Sequence, residues 1–205
     1  MGGTLVGRLA RPRRDRLSIS GLPEYEAAMT SNHARLLAIL SAVAAAAALR
    51  LVPHPPNFTP IAAMALFGAA HLRRSPLAFA APLGALLLSD LVLGFYAGMW
   101  VQYVAVALIV LLGWVALKRV TPIRVGAAAI ASSILFFVVT NFGVWMTGAM
   151  YPHTLAGLAA CYVAAVPFFQ NTLAGDLFFS GLLFGGFALL ERMLPALRIP
   201  EPRAA

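Results

Sequence analysis

Two aspartates lie within long apolar stretches of this sequence, and their chemistry most needs an explanation. Asp90 ends the run LLLSD, and Asp176 ends the run TLAGD. An aspartate near the centre of a bilayer costs about 2.5–3.5 kcal/mol on insertion scales, so such residues face protein or water. A carboxylate in that setting can bind a solute or hydrogen-bond a neighbouring helix. Both aspartates are therefore candidates for a binding site.

Other polar and aromatic side chains are predicted at a similar depth. Asn141, Gln102 and Tyr103 fall in the corresponding halves of their own apolar stretches. Thr172, Asp176 and Ser180 follow each other at intervals of four and so share one helix face. We predict a half-polar, aromatic-lined pocket for a small solute, with these residues as its walls: Asp90, Asn141, Asp176, Asn171, Gln170, Asn57, Trp100, Tyr103 and Trp145.

The residue types suggest separate roles in such a pocket. The aspartates would accept hydrogen bonds or carry charge, the asparagines would donate and accept, and the aromatic residues would enclose the solute. An alternative interpretation remains open. Trp and Tyr also form belts at membrane interfaces, and buried polar residues also join helices by hydrogen bonds without any ligand.

Motifs of several common enzyme classes are missing from the sequence. It contains no HExxH, no GxSxG and no phosphate-binding loop of the Gly-Lys-Ser/Thr type. We therefore expect no enzyme, no cofactor and no metal, since the spacing of His54, His153 and Asp176 is unspecific. The single cysteine, Cys161, excludes a disulfide within the chain and is interpreted as a small buried residue.

The composition predicts an all-α polytopic membrane helix bundle. Of the 205 residues, 61% are hydrophobic and only 11% are charged, whereas soluble domains carry about 25% charge. About 20 apolar residues cross a bilayer. The apolar stretches predict six transmembrane spans, at about 34–52, 60–72, 76–96, 98–117, 125–147 and 172–190.

Two stretches depart from the length of an ordinary span. The second span has only 13 residues and follows the proline-rich sequence HPPNFTP, so either that sequence dips into the membrane or neighbouring helices shield the short span. The stretch from Ala156 to Phe169 contains Pro167 and is too short to cross alone. We predict a short re-entrant or interfacial helix there, before the last span.

The basic residues predict the topology. In this arrangement, 14 of the 15 Lys and Arg residues fall on one side of the membrane, and Arg50 alone falls on the other. Cationic loops resist translocation, so both termini are predicted in the cytoplasm. The net charge of +8 has no nucleic-acid motif beside it, so we expect a lipid bilayer as the partner and no nucleic acid.

The ends of the chain are predicted to lie outside the membrane domain. Residues 1–34 are polar and Arg-rich, and predict a disordered basic cytoplasmic tail. Met29 is an alternative start, because Thr30, Ser31 and Asn32 then supply residues suited to a helix N-terminus. Residues 35–195 form the predicted transmembrane domain, and residues 196–205 a second cytoplasmic tail.

Several motifs carry a resemblance to a known family. The segments PNFTPIAAMALFGAA, LLLSDLVLGFY and TNFGVWMTGAMYPHTLAGLAACYVAAVPFFQNTLAGDLFFSGLLFG resemble an uncharacterised bacterial family of small integral membrane proteins, over roughly 36–190. More distantly, the six-span layout resembles the substrate-binding (S) components of energy-coupling factor vitamin transporters. That likeness implies an outward pocket and an alanine-rich first helix, here Ala42 and Ala46 or Ala44 and Ala48, that meets a coupling protein.

These observations together predict a function. We expect a protein of the bacterial inner membrane that captures a small solute, such as a vitamin or cofactor precursor, on the outer side. The sequence holds no ATP site, so active uptake would need a membrane coupling protein and an ATPase in trans. The alternatives are a structural or assembly protein of the membrane without solute binding, and an intramembrane enzyme.

Overall fold

The computed structural model of the chain is a bundle of six α-helices. It describes residues 22–73 and 75–198, with side chains from Met29 onward, and contains no β-strand within those ranges. The helices are α1 (Leu22–Leu49), α2 (Ile61–His71), α3 (Leu77–Leu93), α4 (Trp100–Ala116), α5 (Pro122–Thr147) and α6 (Leu155–Met193), followed by a short 3₁₀ helix, Pro195–Leu197. The all-α prediction is confirmed.

Three of these helices are long and apolar enough to cross a membrane. They are α1 within Met29–Leu49, α5 and α6, and the apolar helices α2, α3 and α4 are shorter. At about 1.5 Å per residue, the 17-residue α3 and α4 reach about 26 Å, slightly less than the hydrocarbon thickness of about 30 Å. Membrane association follows from the three long helices, and the number of spans does not follow from helix length.

The short helix α2 lies at the centre of the bundle. Every residue from Ile61 to Ala69 is buried, and α2 packs against α1, α3, α4, α5 and α6. Small residues permit this close packing: a Cβ atom on Gly113 of α4 would lie 2.7 Å from the Cβ of Ala69. Of the two alternatives for the second apolar stretch, shielding by neighbouring helices is the one observed.

Helix α6 corrects the prediction of a separate re-entrant helix. It continues unbroken through Pro167 from Leu155 to Met193, a length of about 58 Å at 1.5 Å per residue. A proline removes one backbone hydrogen bond, which membrane helices tolerate because nearby groups satisfy the freed carbonyls. The carbonyl that loses its partner is that of Val163, four residues before the proline. Just beyond the proline, the Gln170 side chain donates to the Pro167 carbonyl at 3.2 Å, and Thr172 donates to the Phe168 carbonyl at 3.3 Å.

One end of the bundle, the basic end, carries the links α2–α3 and α4–α5 and the C-terminus of α6. There Arg35 of α1 forms an ion pair with Glu191 of α6 and lies 5.1 Å from the ring centre of Phe187. Ser31 donates to the Ala196 carbonyl at 2.8 Å. These contacts fasten the start and the end of the described chain to each other.

The structure describes only part of each of the two predicted tails. Helix α1 already begins at Leu22, so it includes the last part of the predicted tail 1–34, and the 3₁₀ helix includes the start of 196–205. Residues 1–21 and 199–205, together with Arg74, lie outside the described residues. The tail boundaries therefore stay predictions, as does the start at Met29.

Candidate functional site

The opposite end of the bundle, the loop end, carries the links α1–α2, α3–α4 and α5–α6. A wide cavity of about 590 Å³ opens there, with walls from α4, α5, α6 and all three links. Its wall includes four phenylalanine side chains, those of Phe136, Phe137, Phe168 and Phe169. The rim includes the exposed side chains of Tyr96 and Met150, so the wide cavity is reached from the loop end.

A narrow cavity of about 130 Å³ adjoins the wide one. The two share the lining residues Asn57, Gln102, Phe136 and Thr172. The narrow cavity adds two charged side chains, Arg50 from the end of α1 and Asp176 from α6. A solute that enters past the phenylalanines would therefore meet polar groups at the inner end.

Arg50 forms a buried ion pair with Asp90 at the wall of the narrow cavity. The Arg50 Nη1 atom lies 2.9 Å from Asp90 Oδ1, and the two side chains are 9% and 5% exposed. Arg50 also donates to the Ser89 hydroxyl. Tyr103 of α4 donates to Asp90 Oδ2 at 2.8 Å, so both carboxylate oxygens are occupied.

Sequence reasoning missed Arg50 as a member of the site. The signal was present, because Arg50 is the one basic residue that the predicted topology places on the side where cations are disfavoured. A cation placed there against that preference needs a partner, and Asp90 is that partner. The exception to the charge asymmetry was therefore a better indicator than the motifs around it.

Asp176 has fewer partners than Asp90. Ser133 of α5 donates to Asp176 Oδ2 at 2.6 Å, and Asp176 forms no ion pair with any described residue. The carboxylate is buried yet lines the narrow cavity. Its neighbours at four-residue spacing, Thr172 and Ser180, are also buried, so the face predicted from the spacing does point into the bundle.

Gln102 lines both cavities, and its side-chain amide has an unused hydrogen-bond donor. Tyr96 donates to Gln102 Oε1 at 2.9 Å, so the amide nitrogen of Gln102 takes no part in that bond. The Gln102 Nε2 atom is buried and has no hydrogen-bond partner among the described residues. The Tyr96 hydroxyl can act as this donor because a phenol is protonated at neutral pH.

The proline-rich segment, residues 53–60, forms one side of both cavities. Asn57 adopts a φ of 63°, a left-handed conformation that asparagine tolerates better than most residues. Asn171 of α6 donates to the Pro56 carbonyl at 3.0 Å. A Cβ atom on Gly175 would lie 3.1 Å from Phe58 Cα, so any other residue would push the segment slightly away from α6.

The structure gathers part of the predicted set around the cavities. Asn57 and Asp176 line the narrow cavity, and Asn57 and Asn141 line the wide one. Asn141 uses its amide nitrogen on the Phe137 carbonyl at 2.8 Å, which leaves its side-chain oxygen unused by that bond. Asp90 and Tyr103 lie behind the wall, in contact with each other.

The other predicted residues do not line either cavity. Gln170 and Asn171 bond to backbone carbonyls as described above, and Trp145 donates to the Pro152 carbonyl at 2.9 Å. Trp100 is 51% exposed at the start of α4. In these positions Asn171 supports the proline-rich segment, and the two tryptophans are placed as interfacial residues would be.

In the described part of the chain, side chains that could bind a metal do not cluster, and the one thiol is buried. No group of three or more His, Cys, Asp or Glu side chains converges there. Cys161 is buried and its Sγ lies 3.4 Å from the Asn141 carbonyl. These side chains leave hydrogen bonding and electrostatics as the chemistry of the cavities.

Comparison with known proteins gives a family and no named relative. Residues 30–197 match the family described as a family of unknown function, DUF6580. No curated protein matches the chain, and no solved structure matches it either.

Proposed function

The chain belongs to the DUF6580 family of unknown function, and we propose that it is an integral membrane protein that captures a small solute at its loop end. The observation that carries this proposal is the pair of adjoining cavities at the loop end, where the Gln102 amide nitrogen is buried without a partner among the described residues. A buried donor without a partner costs about 1–3 kcal/mol. A solute that accepts a hydrogen bond there would remove that cost.

The dimensions and lining of the cavities support solute capture. Small-molecule pockets commonly measure about 300–1,000 Å³ and combine apolar walls with a few polar groups. The wide cavity, at about 590 Å³, falls in that range. The narrow cavity adds Arg50 and Asp176, so polar recognition would occur at the inner end and apolar contact nearer the entrance.

The proposed topology keeps six spans and places both termini in the cytoplasm. The distribution of 14 of the 15 basic residues supports it through the preference for cationic loops on the inner side. Helix α2 would be a span that other helices shield, and α6 would be one long span. The loop end would then face outward from the inner membrane of a bacterium.

Uptake, in this proposal, depends on other proteins. The chain has no nucleotide-binding motif, so a membrane coupling protein and an ATPase would supply the energy, as in the energy-coupling factor transporters that the layout resembles. Of the two alanine pairs on α1, Ala44 and Ala48 are exposed, whereas Ala46 is buried against the bundle. Ala44 and Ala48 are therefore the pair available to a coupling protein.

Thermal stability measured against a panel of vitamins and cofactor precursors tests solute capture. A ligand at 100 times its Kd stabilises a folded protein by about 2.7 kcal/mol. Ala165→Trp places an indole in the wide cavity and should reduce or abolish the shift, because Ala165 lines it. Ala164→Trp is the matched control, since Ala164 is exposed on the same helix.

A structural role without solute is the second candidate. The bonds from Arg50 and Tyr103 to Asp90, and from Ser133 to Asp176, join helices in a way that needs no ligand. The test is that no compound shifts the melting temperature and that Ala165→Trp supports growth of a strain lacking the native gene as well as Ala164→Trp does. In that case the structural role replaces solute capture.

A further inference from the structure

We propose that the solute is a cation built on an apolar ring, and that Asp176 is its counterion. This inference rests on the proposed function and adds a charge and a shape to it. Three features of the cavities carry it: the charge balance of the narrow cavity, the free donor of Gln102 and the aromatic wall.

The charge balance of the narrow cavity favours a cation. Arg50 and Asp176 are the charged residues that line it. Arg50 is already neutralised by Asp90 at 2.9 Å, whereas the Asp176 carboxylate receives one hydroxyl from Ser133 at 2.6 Å and no cation from any described residue. When Asp176 is ionised, the three groups together carry one negative charge, which a positive solute would balance.

An anionic solute would meet the opposite balance. It would have to compete with Asp90 for Arg50, and Tyr103 also holds Asp90 in place at 2.8 Å. It would also approach Asp176 in a setting of low dielectric, where like charges repel strongly. The arginine therefore acts as a neutralised part of the wall and does not define an anion site.

The free donor of Gln102 adds a second requirement. Its Nε2 atom is buried and has no partner in the described part of the chain, and Gln102 lines the same narrow cavity as Asp176. A solute that fits both groups carries a donor toward Asp176 and an acceptor toward Gln102. A heteroaromatic amine or amidine with an adjacent ring nitrogen or carbonyl has that pattern.

The aromatic wall accounts for the body of the solute. Phe136 lines both cavities, and Phe137, Phe168 and Phe169 continue the wall toward the entrance. Aromatic faces attract cations as well as apolar rings. An aromatic cation would keep its charged end beside Asp176 while its ring packs against the phenylalanines.

A series of three probes of similar shape tests the charge of the solute. The probes are quinoline-2-carboxamidine (cation), quinoline-2-carboxamide (neutral) and quinoline-2-carboxylate (anion), which share a ring nitrogen as an acceptor. Their affinity for the purified full chain is measured by thermal shift and equilibrium dialysis. We expect the amidine to bind at least about 10-fold more tightly than the amide, as loss of a charge-assisted hydrogen bond implies. We expect the carboxylate to bind most weakly.

Variants of the counterion make the test specific. Asp176→Asn keeps the size of the side chain and should reduce the amidine-to-amide ratio to near 1, whereas Asp176→Glu should keep a ratio well above 1. Gln102→Glu adds a negative charge to the same cavity and should raise the ratio, so the inference stays testable if Asp176→Asn fails to fold.

The outcomes separate this inference from the proposed function. If the quinoline carboxamide or the carboxylate binds as well as the amidine, solute capture stands and the cation assignment is wrong. Hits in the vitamin panel are judged in the same way by their charge. If neither the probes nor the panel compounds bind, both proposals are wrong.

Discussion

At the scale of single residues, the two aspartates within the apolar helices α3 and α6 differ in their partners. Asp90 has an arginine and a tyrosine as partners, and its side chain is 5% exposed. Asp176 has one serine and faces a cavity. Their depth could be predicted from the sequence because both interrupt apolar stretches. Their different partners could not, because pairing depends on which helix ends meet in space.

The Arg50–Asp90 pair leads to a prediction about stability. Arg50→Gln should lower the free energy of unfolding by about 3–5 kcal/mol, because it leaves a buried carboxylate without its cation. The double variant Arg50→Met with Asp90→Leu should recover most of that loss, since apolar replacement of a whole buried pair is often neutral. Unfolding of the purified variants in detergent measures both. A single variant as stable as the wild type would contradict the pairing.

At the scale of elements, the proline-rich segment and α6 form the site together. The segment reaches α6 at Gly175, and the Asn171 side chain holds it through the Pro56 carbonyl. Five of the six helices could be located from the apolar pattern. For most ends of these five helices, the predicted position lies within a few residues of the observed one. Helix α6 was predicted as two pieces, because a proline and two polar residues in sequence look like a break.

Glycine substitutions on α6 test the contact with the proline-rich segment. Gly175→Ala should lower stability by about 1–3 kcal/mol, because the new methyl group would lie 3.1 Å from Phe58 Cα and Thr59 N. Gly181→Ala is the matched control, since nothing lies within 4 Å of a Cβ there. It should be neutral or stabilise by up to about 1 kcal/mol, as alanine favours helix. Equal melting temperatures for both variants would argue against the contact.

The continuity of α6 predicts a distance between two points on it. With Cys161→Ser as background, spin labels at Ala160 and Leu189, both exposed, should lie about 44 Å apart at 1.5 Å per residue. Pulsed electron paramagnetic resonance measures this separation. A re-entrant segment that reversed near Gln170 would bring the labels within about 20–30 Å, and such a distance would show that the helix is broken.

At the scale of the whole molecule, the two ends of the bundle differ in chemistry. The basic end is closed by Arg35, Glu191 and the 3₁₀ helix, and the loop end holds the cavities. Composition predicted the membrane bundle, since it depends on sums over many residues. It could not locate the cavities, because their walls come from residues far apart in the sequence, such as Asn57, Gln102 and Thr172.

The asymmetry of charge predicts which end faces outward. A single thiol in place of Phe95, at the exposed α3–α4 link, should react with an impermeant reagent added to intact cells. A thiol in place of Lys118, at the basic end, should react only after the cells are opened. The Cys161→Ser background removes the native thiol. Reaction at Lys118 and protection at Phe95 would place the protein in the opposite orientation.

Solute capture, the central claim, is tested most directly by native mass spectrometry of the protein extracted from its own membrane. The account predicts a bound small molecule on the wild type and on Ala164→Trp, and much less or none on Ala165→Trp, whose new side chain obstructs the wide cavity. Fragmentation of the released molecule would identify its functional groups, and these give its charge class. Wild-type protein that carries no small molecule, or an adduct that persists unchanged in Ala165→Trp, would contradict solute capture at this site.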